Sequence, residues 1–110
     1  MKRFAAHHVF LSPDKIFKLH CVELDDDNRL QNIFPLTKEI ASTSFYNGTL
    51  LLIRQADYSE NLIRNLNEAM QKRTKTSIID LLKNQYFTEI QKGEVAMVIV
   101  SDENNRLVVK

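Results

Sequence analysis

The chain has 110 residues, 44% of them hydrophobic and 26% charged, a globular composition with room for one ordinary domain. Fifteen basic against fourteen acidic residues leave a formal charge of +1, which offers no electrostatic footprint for DNA, RNA or an anionic membrane. No stretch approaches the roughly eighteen apolar residues of a membrane span, and the histidines and Pro13-Asp14 interrupt the N-terminal stretch a signal peptide would need.

In chain order, Arg3 to Leu11 reads as an opening strand that Ser12-Pro13-Asp14 stops, because proline removes a ladder donor and favours a turn. Lys15 to Leu24 reads as a second strand, with Phe17, Leu19 and Cys21 on one face and Lys18 and His20 on the other. Asp25-Asp26-Asp27-Asn28 is a hairpin turn by composition, since Asp and Asn bond to their own main chain and tolerate left-handed angles. Arg29 to Phe34 is its return strand. Phe45-Tyr46-Asn47-Gly48-Thr49-Leu50 carries the strongest hairpin signal, because Asn-Gly suits a type I′ turn.

The period then changes. Ser59 is a candidate N-cap, and Leu62, Ile63, Leu66 and Met70 recur at helical spacing up to Lys72-Arg73. Ser77-Ile78-Ile79-Asp80 has capping-box spacing and opens a second predicted helix, with Ile79, Leu82 and Tyr86 sharing a face beside Ile78 and Leu81. Lys92-Gly93 ends the helical region, Val95 to Val100 is an apolar strand, Asp102-Glu103-Asn104-Asn105 is a turn, and Leu107-Val108-Val109 closes the chain. The pattern predicts one α+β domain over 1–110: strands over about 3–55, helices over about 59–90 and strands over about 94–110. The expected architecture is a small β-sandwich or curled mixed sheet built from both chain ends, with two helices packed on it.

The opening Arg3-Phe4-Ala5-Ala6-His7-His8-Val9-Phe10, the hairpin Val22 to Leu30 and Phe45-Tyr46-Asn47-Gly48-Thr49-Leu50-Leu51 together resemble the N-terminal segment of metal-dependent amidohydrolases, in the branch of cytosine deaminases and chlorohydrolases. Ile90-Gln91-Lys92-Gly93-Glu94-Val95-Ala96-Met97-Val98-Ile99-Val100 is similar to the segment that returns from that family's catalytic barrel into the same small sandwich domain. Residues 59 to 87 resemble, more loosely, the barrel's last helices. The departures lie at the chemistry. The family's His-x-His metal pair should follow Gly48 after a Pro-Gly step, and here Leu51 to Asp57 holds no histidine, proline or glycine. Met97 stands where the family has an aspartate, and the roughly 250 residues of a barrel are missing. No catalytic role transfers to any residue, and the chain is not expected to be an enzyme.

His8, His20 and Cys21 are the candidate metal ligands. His7 and His8 are adjacent on a strand and point to opposite faces, so they cannot both hold one ion. Strand-surface histidines and a buried thiol are the plainer reading, and no cofactor is expected. Cys21, the only cysteine, has no internal disulfide partner, which suits the reducing cytoplasm. Asp25, Asp26 and Asp27 lack the alternate-ligand pattern of a calcium loop and read as a solvated turn. Lys72, Arg73 and Lys75 fall at the expected end of the first helix, where the helix dipole favours cations without any nucleic acid. The function expected is therefore a non-catalytic structural or protein-interaction module, a homodimer or the companion of another protein, with Leu50 to Ile53 and the helix faces as its apolar surface; the alternative for that surface is that the two helices cover it within the chain. The alternative is a small-molecule or metal-binding protein with a pocket where the barrel would sit, lined by His8, His20, Cys21 and Tyr46.

Overall fold

A computed structural model describes residues 1–38, 42–72, 78–85, 87–101 and 106–110. Its elements in chain order are β1 (Lys2–Ser12), β2 (Lys15–Leu24), β3 (Leu30–Pro35), β4 (Thr43–Arg54), a 3-10 turn (Gln55–Asp57), α1 (Glu60–Lys72), α2 (Ile78–Leu82), β5 (Ala96–Ser101) and β6 (Leu107–Val109). The six strands form one mixed sheet in the order β3-β2-β1-β4-β5-β6, with β1 and β4 parallel and the other neighbours antiparallel. Of the two architectures expected, the curled mixed sheet is the one observed, with strands from both chain ends.

The local rules that hold do so for visible reasons. Ser12 pairs with Lys15 across the first turn. Asp25 Oδ1 accepts from the amides of Asp27 and Arg29, each at 2.9 Å, and Asn28 takes φ +62°, so the acidic turn is built from its own side chains. Ser59 Oγ accepts from the Leu62 amide at 3.0 Å and caps α1, which ends at Lys72. The expected turn over 102–105 lies outside the described residues, as do Ser77, Tyr86, Arg73 and Lys75.

Three expectations are corrected. Asn47-Gly48 makes no hairpin; both residues lie inside β4, which runs parallel to β1. The β1/β4 register slips there by one residue, from Ala6 opposite Tyr46 to His8 opposite Thr49, so pairing with a distant strand overrides the local turn preference. The alternation proposed for β2 also breaks. Leu19 takes φ +53°, so Phe17 packs with the inner face of the sheet while Cys21 belongs to the outer one. In β1, opposite Leu19, Ala6 and Val9 both join the inner core, which is a flip of the same kind. The second helix, expected to about residue 90, ends at Leu82. Amides of Asn84 and Gln85 bond three residues back to Leu81 and Leu82, tightening the last turn. Beyond it Phe87 enters the helix-side core and Ile90 the inner core, and a chain crossing from one layer to the other over three residues cannot stay helical.

Two cores result. The inner one takes Ala6, Val9 and Leu11 of β1, Val22 and Leu24 of β2, Leu50 and Leu52 of β4, and Ala96, Val98 and Val100 of β5. These residues are 0–4% exposed with no helix upon them, so the sheet must curl to bury its own face. Main-chain bonds hold the curl at one end: Leu30 N–H to Glu94 O at 3.0 Å, Gly93 N–H to Leu30 O at 2.8 Å, and an isolated bridge between Arg29 and Val95. The outer core packs Ile63 and Leu66 of α1 and Ile78, Leu81 and Leu82 of α2 over Phe10, Leu51, Ile53, Ile99 and Leu107. Leu50 to Ile53, expected to form a surface patch, thus alternates between the two cores and is buried throughout.

Candidate functional site

The helices cover only part of the outer face. Over the rest, strand registers align two rows of side chains. One row is Asn32, Glu23, Arg3 and Thr43; the next is Phe34, Cys21, Ala5 and Phe45. Arg3 Nε donates to Glu23 Oε2 at 2.7 Å and Asn32 Nδ2 donates to Oε1 at 3.1 Å, and these bonds, the arginine's first, hold the Glu23 carboxyl below the usual carboxylate range. Beside it, burial and then the Glu23 charge push the Cys21 thiol up, with Arg3 acting against them. Ala5 and Cys21 are fully covered, whereas Phe45 is 47% exposed, with the His7 ring edge-on at 5.2 Å. The backbone here is open as well. β5 pairs with Leu50 to Arg54 only, so among the described residues the first half of β4 has a strand neighbour on one side alone. Ser101 Oγ accepts from the Thr49 amide at 3.0 Å and ends the β4/β5 ladder at that point.

A second feature lies at an end of the curl. Lys2, Phe4, Leu24, Asn28, Ala96, Met97, Val98 and Lys110 line a pocket of about 110 Å³. Main-chain bonds from Ala96 N–H to Asn28 O and from Lys110 N–H to Val98 O, both 2.8 Å, fix its walls to one another. Lys2 Nζ donates to Asn28 Oδ1 at 2.6 Å, and Lys110 Nζ stands 5.7 Å from the Tyr46 ring centroid, itself stacked on Phe4 at 6.4 Å. A wider, shallow depression between α1 and α2, about 400 Å³, is lined mainly by polar side chains including Asn65, Glu68 and Lys72.

The residues singled out as ligands or pocket lining do not converge. His20 stacks on Phe17 at 4.6 Å and its Nδ1 contacts Lys18 O at 3.0 Å. Cys21 is buried beneath the outer row, and His8 pairs across the strands with Lys18 and Thr49. Among the described residues no group of three or more His, Cys, Asp or Glu could hold a metal ion. Tyr46 does not line the pocket but touches two residues that do, stacking on Phe4 and lying under Lys110. That Lys2 and Lys110 line one pocket depends on the curl and not on any local pattern. No helix of the described residues is long and apolar enough to cross a membrane. Compared with known families and curated proteins, the chain matches none.

Proposed function

We propose that the chain is a non-catalytic protein-interaction module of the cytoplasm, similar to the small domain of an amidohydrolase without its barrel, and that it pairs with a second copy of itself through the bare part of the outer sheet face. The observation that carries this reading is Phe45, nearly half exposed on a strand whose first half has, among the described residues, a strand neighbour on one side alone. An open edge offers main-chain donors and acceptors for strand addition, and the Phe45 ring supplies an apolar contact on that same strand. Twofold pairing is the commonest way for a chain to cover such a surface with its own copy. The missing His-x-His pair after Gly48 supports the absence of catalysis.

Light scattering coupled to size exclusion, over a hundredfold range of concentration, tests the pairing. The expected mass is twice 12.8 kDa at the upper end, and Phe45→Arg should return it to the single-chain value. A parent that stays at 12.8 kDa throughout removes the reading.

A further inference from the structure

We propose that the pocket at the end of the curl binds a small monocarboxylate with a short apolar tail, a site independent of the pairing face. Its inner wall is hydrocarbon: Phe4, Leu24, Ala96 and Val98 all belong to the inner core or pack on it. The polar side chains of its lining are Lys2, Asn28 and Lys110, and no Asp or Glu lines it. The two ammonium groups come from opposite ends of the chain. One is held by a neutral amide and the other stands over an aromatic ring, and neither forms an ion pair among the described residues. The rim therefore carries two side-chain ammonium groups against no carboxylate side chain, with the main-chain carboxylate of Lys110 the one negative group on a lining residue, above a floor that cannot hydrate an ion.

That arrangement selects a ligand with an anionic head and an apolar body. A bare inorganic anion would satisfy the rim and leave the floor unfilled; a neutral hydrocarbon would fill the floor and leave the rim unmatched. A carboxylate head between Lys2 and Lys110 with its tail toward Leu24, Ala96 and Val98 satisfies both. A cavity of about 150 Å³ admits benzene, so a volume of about 110 Å³ takes a tail of roughly four carbons. Such a ligand has few atoms, and its dissociation constant should fall in about the millimolar range.

Pentanoate is the probe, titrated into isotopically labelled protein and followed by amide chemical shifts, with pentan-1-ol and pentylamine at matched ionic strength. Saturable shifts should appear at Phe4, Leu24, Ala96 and Val98, with both comparison compounds weaker by about tenfold or more. Lys2→Met and Lys110→Met, substitutions of exposed side chains, should each weaken pentanoate by about threefold or more, in keeping with loss of one partly screened charge contact. Ala96→Leu, which fills the cavity, should abolish it. The spectrum of each variant shows whether it is folded, and if Ala96→Leu is not, the two lysine variants decide. Absence of saturation at these amides, equal binding of the alcohol, or indifference to both lysines overturns the proposal.

Discussion

Arg3, Glu23 and Asn32 sit on neighbouring strands so that the two carboxylate oxygens of Glu23 have one donor each. The Glu23 side chain is 12% exposed and that of Arg3 30%, so water screens this pair less than it would an open surface pair. The folded carboxyl titrates below its unfolded value, which lies near pH ~4.3. The stabilisation is accordingly complete above that value and disappears as pH falls through the lower, folded one. Arg3→Met should destabilise the protein by about 1.5–3 kcal/mol at neutral pH, the range for hydrogen bonds to charged groups. It should also move the midpoint of acid unfolding to higher pH, and the gap between variant and parent should shrink once the carboxyl is protonated in both states. Denaturant melts at neutral pH and at successively lower pH through the acid transition measure this; a gap that stays constant would show that the pair does not control the titration.

At the scale of elements, β4 shows how far local pattern reaches. The turn at Asp25 to Asn28, the cap at Ser59 and the ends of β2 were legible because each depends on residues close in sequence. The Asn47-Gly48 step misled because its glycine is there for close approach and not for positive φ. A Cβ on Gly48 would stand 2.6 Å from Ser101 Oγ, a contact between residues that no sequence window contains. Gly48→Ala should therefore destabilise the protein by about 1–3 kcal/mol, as overpacking does, since Ser101 Oγ would have to leave the Thr49 amide. The double variant Gly48→Ala/Ser101→Ala should recover a large part of that loss, and thermal melts of the two single variants and the double will show it. Additive losses would mean that the two residues do not meet. Leu19 was illegible for a related reason: nothing about a leucine announces a left-handed backbone, and its strain persists because neighbouring strands fix it. Where His8, His20, Cys21 and Tyr46 lie relative to one another is set by strand register, which no short window of sequence records.

For the whole molecule, the decisive fact is that the chain's ends are joined through β4. The opening strand β1 is not paired with β5; β4 lies between them, its Arg3-to-Thr43 pairing on one side and its Leu50-to-Val100 pairing on the other. Removing 95–110 would strip Val98, Ile99, Val100 and Leu107 from both cores at once. Burial of those four side chains contributes about 6–12 kcal/mol, an upper bound that rivals the whole net stability of a typical domain at about 5–15 kcal/mol. The shortened chain should show no cooperative melt; one near the parent's temperature would refute the two-core account. The same dependence governs synthesis. The β1-β2-β3 meander is made first and its pairings are local, but its inner face has no cover until β4 and β5 emerge. A ribosome must release residues 96–109 before the curl can close, so folding waits on the last part of the domain to be translated, and until then the nascent meander is exposed to chaperones and proteases.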